Sequence, residues 1–549
     1  MGIFTVTKLS EGPVRPSAAT PSETLPLTWS AHIYRGVAHT LPSPATEGDA
    51  LQLLEAPEKK TTKTSSPAAV VHGALADALV HYYPFAGRIV EDVPGRPAVV
   101  CTGEGVYFVE AAANCTLADV NFLERPLLVA KEQLQWPVEP RNCPAMIQPG
   151  HWLTAKEPFC REPGPRLTAN RQSLPAYKPP LPALTSGPGE PLCREPSKAH
   201  GKAPPFCREP YLGLTANIRA GPTHIVGSSL LAVIPAHGKG FAVSFCPFGV
   251  SPGLTANRLN PVVTTFTCGG FVVGLRTNHA VADGTGVAQF LNAVGDLARG
   301  LPEPRVKPVW ARDRFPDPDI KPGPLPELPV LALEYIAFDF PATYIDKLKS
   351  QYAAFTGGNI CSGFDVLIAK LWQCRTRAII VDTTPSADVR LCFFSGVRHV
   401  LKLEHGYYGN AVFPVKVSVS AEKVAGSSVV ELVAMVRDAK RRVAEECLSW
   451  AEGRTGGRDP FQMAFDYESV YVSDRSKLGS SDVDYGYGKP MSTCPLVTCD
   501  LIASVIVMRA PAPLVGTRLL ASCVTKEHAD DFARMMRDDG HIWFVRAKI

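Results

Sequence analysis

The chain has 549 residues, 45% of them hydrophobic and 20% charged, with a formal net charge of +4. That length suits two or more packed domains. So small a positive excess, spread along the chain, excludes the clustered basic face of a nucleic-acid binder, and no apolar run reaches the roughly 18 residues of a membrane span.

From the start, "MGIFTVTKLSEG" carries no apolar signal-peptide core. Residues 30–66 are polar, with "EKKTTKTSS", and no apolar strand is expected there. From Pro67 the pattern changes. Ser66 can cap a helix with Pro67 at its first position, "AAVVHGALADALVHYY" keeps apolar residues at helical spacing, and Pro84 ends it. Between Pro149 and Val262 stand 19 prolines in 114 residues, far above the usual one in about twenty. "CREP" recurs at Cys160, Cys193 and Cys207, and "LTAN" at Leu167, Leu214 and Leu254, without the steady period or apolar stripe of a solenoid. The flanks "AMIQ" and "VTTFTC" read together as one strand, followed by a turn at Gly269-Gly270 and a second strand, "FVVGL". Residues 149–262 are therefore expected to be an insertion foreign to the fold, from a retained intron or a faulty gene model; a genuine inserted loop is the alternative. The 15 cysteines are odd in number and form no CxxC pair, which points to a reducing, cytoplasmic setting.

Next comes "RTNHAVADGTG", with His279 and Asp283 four residues apart. Chance alone gives such a spacing about 0.6 times in a chain of this composition, and a polar turn with a helix-capping Asp283 would explain it. Its setting is more telling. His279 follows an apolar strand and precedes a helix expected over 285–298, a place where sheets present functional side chains. Small residues crowd it and leave room for a substrate. A neutral imidazole can take a proton from an alcohol or amine near neutral pH. Asp283 then either orients the ring or points away and locks the turn through an arginine. No serine or cysteine stands in a GxSxG frame, and no HExxH or third ligand marks a metal site.

A Pro-rich crossover is expected over 303–330, then alternating strands and helices. "SGFDVLIAKLWQCRTRA" opens with a Ser362–Asp365 capping box and sets Phe364, Leu367, Ile368 and Leu371 on one face. "AVFPVKVSVS" reads as a strand, "SSVVELVAMVRDAKRRVAEE" as an amphipathic helix, "LIASVIVMRA" as a strand and "KEHADDFARMMRD" as a helix. "DYGYGKP", from Asp484, alternates aromatics and glycines and reads either as a tight loop or as part of a motif; it is not a phosphate-binding frame.

"HAVADG" in mid-chain and "DYGYG" about 200 residues later resemble the HxxxDG and DFGWG motifs of the plant BAHD acyl-CoA-dependent acyltransferases. Tyrosines replace Phe and Trp in the second. "YYPFAGRI", "TPSETLPLTW" and "FFSGVRHVLKLEHGYYGNAV" are similar to further family segments, and the chain without 149–262 has the family's usual size. The resemblance implies an α/β, two-domain fold of the chloramphenicol-acetyltransferase type. Residues 1–302 would form the first domain, 303–330 the crossover and 331–549 the second, with a channel between the halves. It implies His279 as the base, Asp283 paired with Arg398, and Asp484, Gly486 and Gly488 as a structural loop. Ser362 would lie on the CoA side.

Acyl-CoA would be a co-substrate, with no bound cofactor or metal. The acceptor would be a small-molecule alcohol or amine, and the enzyme a monomer without nucleic-acid or membrane partners. "TVTKLSEGPVRPSAATPSETLPLTW" and the His279 region look most like the grass branch that moves hydroxycinnamoyl groups; neighbouring branches use benzoyl or acetyl. The competing expectations are a product inactivated or misfolded by the insert, and a CoA or phenolic binder without turnover.

Overall fold

The computed structural model describes residues 4–27, 47–54, 65–93, 96–134, 255–256, 260–316, 331–380, 384–495, 502–537 and 543–547. The chain divides into two compact units, Met1–His151 with Gly249–Ile549, and Trp152–Phe248. The second unit lies wholly outside the described residues, as do the expected half-strand at 145–148 and residues 317–330 of the crossover.

The first unit is mixed α/β, as the alternating pattern predicts. Its six-stranded sheet runs in the order β1 (Val6–Val14), β6 (Val106–Ala113), β8 (Asn260–Thr265), β9 (Phe271–Asn278), β3 (Glu47–Leu54) and β14 (Ser492–Cys494). The glycine turn closes the β8–β9 hairpin: Phe266 N–H donates to Gly270 O, and Gly269 takes φ +83°. A smaller sheet holds β2 (Thr24–Pro26), β5 (Arg96–Val100), β4 (Arg88–Val93) and β7 (Thr255–Ala256).

Two expectations need correction. Residues 30–66 do contain a strand: β3 pairs with β9 over its whole length, from Glu47 opposite Asn278 to Leu54 opposite Phe271. It is short and begins with "EGD", so its apolar content shows only from Ala50 onward, and the ladder stabilises what local propensity does not mark. The downstream edge of the insert also moves. Asn260, Pro261 and Val262 belong to β8, with Val262 fully buried opposite Gly274, and Thr255–Ala256 pairs with β4.

Helix α1 (Pro67–His81) starts as its sequence dictates: Ser66 Oγ accepts from Ala69 N–H at 3.2 Å and Pro67 occupies the first turn. It packs with α2 (Gly284–Ala298) on one face of the sheet through Val71, Leu75, Leu79, Phe290, Leu291 and Val294. Each such side chain contributes on the order of 1.5–3 kcal/mol by burial. Tyr408, Val483 and Tyr485, from the far end of the sequence, join this core.

The second half is a seven-stranded sheet ordered β12 (Val412–Ser420), β11 (Asp388–Gly396), β13 (Ser469–Asp474), β15 (Ser504–Arg509), β16 (Gly516–Thr525), β10 (Leu333–Pro341) and β17 (Trp543–Ala547). Helices α3 (Ala342–Phe355), α4 (Gly363–Ile379), α5 (Val429–Ala451) and α6 (Lys526–Met536) cover it around Trp372, Trp450, Phe338 and Phe532. The expected Ser362–Asp365 capping box is present, and Ser428–Glu431 makes another. Because β14 leaves this half to pair with β3, the halves share a sheet as well as a core. No helix among the described residues is long and apolar enough to cross a membrane.

Candidate active site

Strand β9 lies between β8 and β3, hydrogen-bonded on both edges, so the residue after its end is held on a rigid support. That residue is His279. Asn278 Oδ1 accepts from Ala280 N–H at 2.9 Å and Val281 N–H returns to Asn278 O, which bends the chain sharply. Asp283 then caps α2, with Oδ1 accepting from Gly286 N–H at 2.9 Å. A Cβ at residue 286 would lie 1.9 Å from Tyr408 O, so only glycine allows this close approach.

Asp283 caps the helix and also pairs with an arginine. Besides capping, its Oδ1 accepts from Arg398 Nη2 at 2.7 Å and its Oδ2 from Ala411 N–H at 3.1 Å. Arg398 also donates to Tyr407 O and Gly409 O. The carboxylate therefore ties the His279 turn to the Tyr407–Ala411 turn of the second half.

One partner of the ring is Asn410. Its Nδ2 donates to His279 O at 2.7 Å and to Ala280 O at 3.3 Å, while its Oδ1 stands 3.1 Å from His279 Nδ1. Carbonyls only accept, so the amide nitrogen must face them and the amide oxygen must face the ring. Nδ1 must then carry a proton, and the neutral tautomer keeps its lone pair on Nε2. Asn410 is fully buried, which fixes the arrangement.

Burial pushes the His279 pKa below its ordinary 6.5, and the positive charge of Arg475 acts in the same direction; Asp283, the residue's own backbone carbonyl and the Asn410 hydrogen bond oppose both. Enclosure removes water's support for the imidazolium, yet the residue keeps some accessible surface. Arg475 opens a loop that lies over the start of α2: a Cβ at Gly284 would meet Leu478, and Asn292 Nδ2 donates to Gly479 O at 3.0 Å.

The Asp484 loop is built as a clasp. Asp484 Oδ1 accepts from Gly486 and Gly488 N–H at 2.7 and 2.9 Å, and both glycines adopt left-handed backbone, φ +89° and +93°. Arg299 of α2 donates to Asp484 O, Tyr485 hydroxyl to Gln52 of β3 at 2.6 Å, and Tyr487 hydroxyl to Ser65 O beside the start of α1. The loop thus braces the elements around His279, and the Tyr487 phenol supplies a donor where the DFGWG motif has an indole.

Ser362 stands apart from this cluster. Its Oγ accepts from Asp365 N–H and its N–H donates to Asp365 Oδ2, so it closes its own helix. Asp365 is held ionised against its burial by Lys440 and Arg437. A cavity at the seam of the halves lies elsewhere again, lined by Glu124, Arg125, Tyr335, Cys494 and Arg518, and none of the "HAVADG" residues faces it. Sequence reasoning missed Asn410 and Gln52. "GYYGN" was visible, but nothing in its spacing marks the asparagine as the ring's partner.

The fold is of the chloramphenicol-acetyltransferase type. The crystal structure of vinorine synthase matches it with a TM-score of 0.60 at 17% identity, over 97% of this chain and 98% of that one. The chain belongs to the plant BAHD acyltransferase family: a family model described as "Transferase family" matches residues 4–136 and 258–538. It is 57% identical to Acyl transferase 10 of Oryza sativa subsp. japonica, over 98% of this chain and all of that protein. With the Crocosmia x crocosmiiflora protein named myricetin 3-O-glucosyl 1,2-rhamnoside 6'-O-caffeoyltransferase AT2, it shares 29% identity over 97% of this chain and 99% of the relative.

Proposed function

We propose that this enzyme moves an acyl group from a CoA thioester to the hydroxyl of a plant alcohol, with His279 as general base and no covalent acyl-enzyme. The observation that carries the reading is the tautomer set by Asn410, which leaves an Nε2 lone pair on a ring that burial keeps neutral. In the forward step Nε2 takes the hydroxyl proton while the oxygen attacks the thioester carbonyl. The tetrahedral oxyanion collapses, the C–S bond breaks, and the imidazolium returns its proton to the CoA thiolate. Asp283 and Arg398 act as structural supports, as does the loop of Asp484, Gly486 and Gly488. Ser362 is assigned to the CoA side.

The donor is read as hydroxycinnamoyl, p-coumaroyl or feruloyl, with benzoyl or acetyl as alternatives; the name of the Crocosmia caffeoyltransferase supports the first class. The domains are read as 1–302, 303–330 and 331–549, the insert as foreign to the catalytic fold, and the enzyme as a cytoplasmic monomer. The cytoplasmic reading is supported by the cysteines that are free among the described residues.

The test is release of free thiol from p-coumaroyl-, feruloyl-, benzoyl- and acetyl-CoA against a panel of alcohols, with His279→Ala beside the wild type. The expected result is turnover with an aromatic donor and a loss of about 10²–10⁴-fold in the variant. A folded wild type that binds donor but never releases thiol would make it a binder; equal turnover in His279→Ala would remove the base.

A further inference from the structure

Arg312 is a buried cation outside the machinery described so far. It lies in the crossover, where Val309 N–H donates to Gly406 O at 2.9 Å and Ala311 takes left-handed backbone, φ +33°. The residue is 4% exposed. Its guanidinium stands 4.0 Å from the Trp310 ring centroid, 4.9 Å from that of Tyr407 and 5.0 Å from that of Tyr408. Nη1 donates to Trp310 O at 3.0 Å, and Nη2 donates to Val281 O at 2.6 Å. A Cβ on Gly409 would lie 2.1 Å from Nη1, so the glycine makes room for it.

Among the described residues Arg312 makes no ion pair, while Asp283, the carboxylate of the neighbouring turn, is paired with Arg398. Burying a guanidinium without a carboxylate is costly, and three ring faces, the Tyr407 hydroxyl and two carbonyls offset only part of that cost. A fork of donors suits this place because one branch reaches back to its own crossover segment and the other to the turn between His279 and Asp283. A lysine could sit over the rings but could not serve both carbonyls.

We infer that Arg312 is a positioning residue for His279: it clamps the Val281 carbonyl from below and so holds the turn that aims Nε2. Asp283–Arg398 fixes the end of the turn and Asn410 fixes the ring; Arg312 fixes the middle. It joins the crossover to the base, so the link between the halves is also the support of the site. The inference rests on His279 being the base. The charged groups that act on the ring are Asp283 from its own turn and Arg475 from the loop after β13; Arg312 works through geometry instead.

The test is Arg312→Lys in the full chain, with steady-state kinetics, a melting curve and histidine-labelled NMR. In the folded variant kcat is expected to fall about 10–100-fold, since a misplacement of about 1 Å can cost 10²-fold. KM for the acyl donor is expected to stay within about twofold. The His279 resonance is expected to titrate closer to 6.5 than in the wild type, because a loosened turn lets water reach the ring. If Arg312→Lys fails to fold, Arg312→Gln, which keeps one donor without the charge, takes its place with the same expected result. A folded variant with unchanged kcat and an unmoved His279 titration overturns the inference, as does a loss of activity that only follows the folded fraction. Turnover that survives His279→Ala sinks the base itself, whereas the NMR titration reports on Arg312 without any need for turnover.

Discussion

Replacing Asp283 by Asn changes one atom and disturbs three bonds. The remaining amide oxygen can take over Oδ1, where Arg398 Nη2 and Gly286 N–H donate at 2.7 and 2.9 Å. The new NH₂ then replaces Oδ2 and faces Ala411 N–H, which donates at 3.1 Å, so two donors confront each other in a buried place. A stranded buried donor costs about 1–3 kcal/mol. Removing one partner of a buried ion pair costs about 3–5 kcal/mol, but the Arg398 side chain is 23% exposed against 4% for Asp283, so water recovers part of it. The expected loss is about 3–4 kcal/mol of local stability, concentrated where the two halves meet. A thermal or denaturant melt should show it, and Arg398→Gln alone should cost less, because the carboxylate keeps its two backbone donors. The double variant should be less damaged than the sum by about 1–3 kcal/mol, since both changes break the same bond. Asp283→Asn with wild-type melting and turnover, or strict additivity with Arg398→Gln, would refute the reasoning.

Removing the Asn410 side chain as Asn410→Ala frees the ring to change tautomer; kcat is expected to fall about 10–100-fold, and histidine-labelled NMR to show the proton shared between Nδ1 and Nε2. The acid limb of kcat/KM is expected below pH 6.5, because burial lowers the His279 pKa from that value, and a limb above it would contradict the buried neutral base. Stability follows the same shift. The unfolded ring takes up a proton near pH 6.5 that the folded ring resists, so the His279 contribution is constant above that pH and declines as pH falls through it. His279→Gln should flatten this slope in a melt series. Deleting residues 149–254 keeps Thr255–Ala256 and β8 whole and is expected to give a soluble protein with turnover at least equal to the full chain. An insoluble or inactive product would make the insert part of the fold.

Much of this architecture was legible because its signals are local. Ser66-Pro67 and Ser362–Asp365 announce helix starts through caps that need only four residues, and "FVVGL" after Gly269-Gly270 announces a central strand. The parts that escaped depend on residues far apart in the chain. Strand β3 exists because β9 pairs with it across more than 200 residues, and its polar first turn hides that. Asn410 lies 131 residues from His279 and Arg312 lies 31 from Val281, so neither distance nor residue type connects them before the halves meet. The HxxxD spacing shows the same limit from the other side. Four residues suffice for Asp283 to cap its helix, yet the partner that makes it a lock is 115 residues away. A turn of this kind carries its polar residues in the local sequence and its rigidity in the rest of the chain. The proposed base could therefore be picked out in the local sequence, while its supports had to be found in space.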